Sequence, residues 1–405
     1  MAKFLPLLFL FTYYILSVHC RPHRNNCHNV IFNVLDFGAS GNGCTDDTQA
    51  FDDAWNATCK SKGQSATLRV PSGYTFSVQP LVFKGRCKSN VKVVIDGDLI
   101  APRKPSVWDC DGKECRHWIS FYHVDGLQIS GSGTIDGQGT KWWTSYCKNK
   151  DNHCKKPTGF IIENSNNVHI SGLTFKDSPQ MQIAFERSTW VYADSLTISA
   201  PGDSPNTDGI HIQHSKHIFI DQSRIGTGDD CVSIGDGSSH INISNIQCGP
   251  GHGISIGSLG KDGMHETVEF VHVRDVEFSG TSNGVRIKTW QGGRGYARNI
   301  VFENIKTHNA QKPIIIDQYY CDHRTCKNHT SAVKVSNVRY SNIHGTSSLD
   351  TAVELACSEA APCTDIYMND VVIYSTKHRS QTSSVCLNVK GRQDGEIFPR
   401  VPCLT

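Results

Sequence analysis

The sequence predicts an all-β fold, a single-stranded right-handed parallel β-helix (solenoid) with an N-terminal capping helix, and three observations predict it. An eight-residue pattern, apolar at its first, third and last positions and often Asp, Asn or Ser at its fifth, starts at Val168, Val191, Ile218, Ile241, Val271, Ile300, Val333 and Ile366. The starts lie roughly 23 to 33 residues apart, a solenoid period. A second alternation recurs between them, as Ile210/Ile212, Val232/Ile234, Ile254/Ile256, Val285/Ile287 and Ile314/Ile316, so each coil holds at least two short strands. Few helical patterns interrupt the repeats, and the 35 glycines with many Asn and Asp suit turns between strands. Stacked coils would bury the inward Ile, Val, Leu and Phe on one another. A propeller would want longer repeats of roughly 40 or more residues, and a sandwich would not repeat this way.

In chain order, Lys3 and the apolar run Phe4 to Val18, followed by His19-Cys20-Arg21-Pro22, read as a secretory signal peptide over residues 1–20. No other apolar run approaches the about 20 residues of a membrane span. Residues 21–405 read as one domain. Val30 to Val34 form a strand pattern, and Thr45-Asp46-Asp47-Thr48 precedes Ala50, Phe51, Ala54, Trp55 and Cys59 at helical spacing. This predicts one amphipathic cap helix at about 45–60, with Asp46-Asp47 as capping acids and not a metal or catalytic pair. Looser repeats begin at Val91 and Leu127, and the repeat fades after Thr376, so 376–405 is expected to be an irregular C-terminal cap.

Composition narrows the function. A formal charge of +2 excludes a generally basic nucleic-acid binder. Seventeen cysteines become an even number once Cys20 leaves, which fits disulfides in an oxidising compartment. Cys110/Cys115, Cys147/Cys154, Cys321/Cys326 and Cys357/Cys363 read as short-loop bridges, being irregular and without the partnered histidines of zinc sites. Sequons at Asn56, Asn242 and Asn328 are compatible with glycosylation.

Four polar clusters stand out between 206 and 288: Asn206-Thr207-Asp208, Gly228-Asp229-Asp230, Gly251-His252-Gly253 and Arg286-Ile287-Lys288. Asp208, Asp230 and His252 each fall two residues before an apolar alternation, which puts them in one column of a parallel stack with about 4.8 Å between strands. Arg286 lies between inward Val285 and Ile287, and Lys288 follows, so both should point outward. Alone, an Asp-Asp turn or a Gly-His-Gly is ordinary turn chemistry; together they read as a site. Lys155, Lys156, Arg294 and Arg298 are weighed as extensions of its basic edge, with solvated surface the reading preferred for each.

With these four signatures in order, and Phe32-Asn33-Val34-Leu35-Asp36-Phe37-Gly38-Ala39 near the start, the chain resembles the plant polygalacturonases of glycoside hydrolase family 28 over nearly its whole mature length. The resemblance implies an inverting hydrolase of α-1,4-galacturonosidic bonds in de-esterified pectin (homogalacturonan). Such an enzyme is secreted to the cell wall, with no cofactor, no metal and no stable membrane association, and a monomer is the default expectation. It makes Asp229 the general acid, Asp208 and Asp230 the water-activating pair, and His252 a catalytic-site residue. Asn206, Arg286, Lys288 and Tyr320 become substrate binders, Tyr319 competing with Tyr320 for that position, and a Cys231–Cys248 disulfide is implied.

The chemistry wants these residue types. Inversion needs an acid for the leaving oxygen and a base for water on the opposite face. Three crowded carboxyls cannot all ionise cheaply, so one pKa should rise and the optimum should be acidic. His252 can charge near neutrality, and an arginine with a lysine can grip the carboxylate of each galacturonate unit. Endo cleavage is expected, with exo cleavage the alternative. A pectate lyase on the same scaffold would want calcium ligands and an arginine base, and a silent pectin binder would have lost an acid.

Overall fold

The computed structural model describes residues 29–110, 115–146, 155–322, 326, 329–377 and 381–405. The expected leader, Cys147, Cys154 and Asn328 lie outside the described residues. Two parallel sheets run the length of the molecule, one 20-stranded and one 11-stranded, wound as a right-handed parallel β-helix. A central coil shows the plan: Ile210–Gln213 lies in the smaller sheet, then Lys216–Asp221 and Arg224–Gly226 in the larger. From Ser238–Cys248 onward the last two segments fuse into single bent strands, such as His265–Ser279 and Arg294–Ala310.

The fifth position of the repeat sits at this bend. Asn245, Asp275, Asn304, Asn342 and Asp370 all take positive φ, a conformation that Asn and Asp tolerate better than bulkier residues. Their side chains bond along the stack, Asn304 to Asp275 at 3.1 Å and Asn342 to Asn304 at 2.8 Å. One expected start moves: Ile300 pairs with Val338 and Val338 with Ile366, so the coil begins at Val338 and not at Val333. Val333-x-Val335 alternates equally well, which is why it misled.

The second alternation is in the expected register. Ile210, Val232, Ile254, Val285 and Ile314 form one inward ladder, and Ile212, Ile234, Ile256, Ile287 and Ile316 another. All ten are buried at 1% exposure or less, and each burial contributes about 1.5–3 kcal/mol before entropic costs.

The helix Thr48–Lys60 covers the N-terminal open end with Phe51, Ala54 and Trp55. Trp55 packs against Phe83 and Phe121 and donates its indole N–H to the Lys84 carbonyl at 3.0 Å. It starts later than expected because Asn42–Asp46 is a strand. Asp47 is its N-cap residue but makes no capping bond; its carboxylate instead accepts from the backbone N–H groups of Ser40 and Gly41. Asp46 accepts from the Thr48 N–H.

The C-terminal stretch corrects the expectation of an irregular cap. Ser383–Leu387 and Val389–Phe398 extend both sheets by one more parallel coil. The alternation is hidden because a terminal coil has no next neighbour to cover it, and its residues are largely exposed. Described disulfides join Cys59–Cys87, Cys110–Cys115, Cys231–Cys248, Cys321–Cys326, Cys357–Cys363 and Cys386–Cys403, while Cys44 has no disulfide partner among the described residues.

Candidate active site

The site lies on the outer face of the smaller sheet and in the turns that feed its strands. His211, Ser233, Ser255 and Arg286 share one register column there, each flanked by two inward apolar residues. The acids come from the turns just before. Thr207 ties two of these turns together, its hydroxyl accepting from the Gly228 N–H at 3.1 Å. A Cβ on Gly228 would stand 2.0 Å from the Ser204 carbonyl oxygen, so only glycine allows this approach. The Cys231–Cys248 disulfide, buried directly after Asp230, fixes the acid turn to the following strand.

Asp230 is 1% exposed and fully engaged. Its Oδ1 accepts from Arg286 Nη2 at 2.7 Å and Ser255 Oγ at 2.7 Å, and its Oδ2 from Lys288 Nζ at 2.9 Å. Arg286 Nε also donates to Ser255 Oγ at 2.9 Å, closing the network. Burial alone would raise the Asp230 pKa, but Lys288 and Arg286 together bring it down to about 2. Asp230 is therefore a fixed anion.

Asp208 is its counterpart. Burial, then the charges of Asp229 and Asp230, pushes its carboxyl up to about 7, with Ser233 and Lys288 opposing. The expected retained proton thus resides on Asp208 in the free protein, one carboxyl among three. Asp229 Oδ1 accepts from the Asp230 N–H at 2.8 Å and faces His252 Nδ1 at 3.0 Å. Although His252 shares a sequence column with Asp208 and Asp230, its partner is Asp229, because its own N–H also donates to the Asp229 carbonyl at 2.8 Å. The side-chain bond to Asp229, against the effect of burial, raises the His252 pKa above its ordinary value.

Tyr320 follows on the next strand, with Lys288 Nζ 5.5 Å from its ring centroid and Trp290 edge-on at 5.3 Å. Tyr319 points elsewhere, its hydroxyl donating to the Cys357 carbonyl at 3.2 Å. Asn206 is exposed in a left-handed turn immediately before Thr207. Arg294 and Arg298 are not part of the cluster; Arg298 pairs with Glu269 and Arg294 donates to the Gly263 carbonyl. Lys156 does approach it, donating to the Pro205 carbonyl at 3.0 Å just before the Asn206-Thr207-Asp208 turn.

Sequence reasoning missed His211, Ser233 and Ser255. His211 is half-buried and kept neutral, desolvation lowering its pKa to about 4, and its Nδ1 meets Ser233 Oγ at 2.8 Å. The signal was present, since the alternation that turned Arg286 outward applies equally to a residue between Ile210 and Ile212. Atoms of Asp229, Asp230 and His252 gather within 4.8 Å of one another, a spacing that could hold a cation. Arg286 and Lys288 already neutralise Asp230, however, and would repel a second cation there.

A buried, protonatable carboxyl beside one held ionised, on the outer face of a parallel β-helix, defines a carboxylate-driven glycoside hydrolase. Comparison with known proteins agrees: residues 59–395 match the glycosyl hydrolases family 28. A probable polygalacturonase of Arabidopsis thaliana is 44% identical over 93% of this chain and 84% of its own length. A polygalacturonase of Malus domestica is 45% identical over 91% and 78% respectively. Among solved structures, a polygalacturonase from Erwinia carotovora superposes with a TM-score of 0.69 at 26% identity, covering 86% of this chain and 94% of that one. An exopolygalacturonase from Thermotoga maritima gives 0.76 at 23% identity over 91% of each chain and shares the fold. The chain belongs to glycosyl hydrolases family 28, and its substrate is a polysaccharide.

Proposed function

We propose that this chain is a polygalacturonase that hydrolyses the α-1,4 bonds of de-esterified homogalacturonan with inversion, cutting within the polymer, outside the cell and as a monomer. The carrying observation is the pairing of acids on a basic edge: Asp230 held as an anion by Arg286 and Lys288, next to Asp208 with its raised pKa. The names and identity of the plant relatives support the substrate.

In this reading Asp229 donates its proton to the glycosidic oxygen, and Asp208 with Asp230 directs water to the anomeric carbon from the opposite face. His252 bonds Asp229 and supplies positive charge beside it at acidic pH. For Asp229 to act as acid, the proton that Asp208 holds in the free protein passes within the cluster when substrate displaces water. Arg286, Lys288, Asn206 and Tyr320 bind the substrate. Because the two cations also hold Asp230, a substrate carboxylate that draws on them loosens that acid as it docks.

The test is incubation of the secreted protein with polygalacturonate and a calcium chelator. Reducing ends without unsaturated product, abolished by Asp229→Asn, are expected, with an early fall in viscosity for internal cleavage. Unsaturated ends would mean a lyase, and retained pectin binding without product would mean a silent binder.

A further inference from the structure

Arg286 and Lys288 lie on one side of the acids along the helix axis. Their strand, Asn283–Trp290, comes three places after Ile210–Gln213 in the smaller sheet. Both are committed to Asp230. A polymer with a carboxylate on every unit would cross the acids and continue over the strands on the other side, where neither cation reaches. The strand Thr158–Glu163 lies there, two places before Ile210–Gln213. Lys156 enters it.

Three observations single out this lysine. Its ammonium is pinned at 3.0 Å to the carbonyl of Pro205, the residue that leads into Asn206-Thr207-Asp208, so it is aimed at the acid turn. Among the described residues it makes no ion pair, and an ammonium has three donors of which the carbonyl takes one. It is partly buried, burial lowering its pKa while the charge of Asp229 acts in the opposite sense. A half-desolvated cation bonded only to a neutral carbonyl is poised for an anion from outside.

We propose that Lys156 is the cation that receives the substrate carboxylate on the side of the cleavage point opposite Arg286 and Lys288, so that the acid cluster is flanked by positive charge on both sides. This rests on the polygalacturonase reading. Lys156 takes no part in proton transfer; it sets where the polymer lies and favours a free over an esterified carboxyl at that unit.

The experiment compares wild type, Lys156→Met and Lys156→Arg on polygalacturonate and on a partly methyl-esterified pectin, with melting curves to confirm folding. Loss of one charged hydrogen bond predicts a KM about 10- to 100-fold higher in Lys156→Met with kcat little changed. Lys156→Arg should recover most of it, and the preference for free over esterified substrate should shrink in Lys156→Met. Unchanged KM, or a loss confined to kcat with a displaced pH profile, would overturn the proposal, the latter showing that the lysine acts on Asp229 alone. Wild-type protein that does not hydrolyse polygalacturonate would instead overturn the function on which it rests.

Discussion

Replacing Asp208 with Asn should remove activity and at the same time change how stability responds to pH. The Asp208 carboxyl is raised from an ordinary 3.8 to about 7. The sign follows from linkage. A group whose pKa is raised on folding stabilises the protein below its unfolded value, and that contribution is lost as pH rises through the folded value. Between pH 5 and pH 8 the folded wild type must give up a proton that the unfolded chain has largely released already. At about 1.4 kcal/mol per pKa unit, this group alone takes about 2–3 kcal/mol from stability over that interval. Asparagine does not titrate. Denaturant unfolding of both proteins at the two pH values should therefore show the variant losing less stability than wild type, by an amount of that order. Equal losses would refute the claim that Asp208 carries the raised pKa.

Asp230 titrates in the opposite sense: its pKa is depressed to about 2, so the stability it contributes is lost only as pH falls towards that value. Lys288→Met should lower stability by about 3–5 kcal/mol, because it leaves Asp230 buried with one cation instead of two; calorimetry would show the drop, and an unchanged Tm would contradict it. His252→Asn should lower the pH at which activity falls on the alkaline side, since the raised His252 pKa extends the protonated form upward; a pH–kcat profile identical to wild type would exclude that role. Tyr340→Phe should leave stability unchanged or raise it by about 1 kcal/mol, because the Tyr340 hydroxyl, in the Phe302 stack, is buried without a hydrogen-bond partner among the described residues; a clear loss of Tm would mean that the hydroxyl is satisfied.

The fold was legible because a β-helix writes its period into the chain. Every inward pair from Ile210/Ile212 to Ile314/Ile316 stands in the register that the alternation implied. It failed where neighbours cease to constrain the pattern, as in the uncovered coil at Ser383–Phe398, or where two alternations compete, as at Val333 and Val338. The site was legible as a set of residues and less so as a network. That Arg286 and Lys288 point outward follows from alternation; that both close on Asp230 does not, since side-chain reach between coils is a matter of three dimensions. His252 likewise met Asp229 instead of its column neighbour Asp230, because the turn at Gly251 brings its backbone to the Asp229 carbonyl. The serines between the acids went unnoticed, as a small hydroxyl in a strand carries no signal until its partners are known.

Inversion requires the three carboxyls to act on opposite faces of one glycosidic bond. The most direct test is proton NMR of the first product released from polygalacturonate, read before the anomers equilibrate. The β-anomer is expected from the α-linked polymer and should be absent in Asp229→Asn; initial release of the α-anomer would contradict inversion.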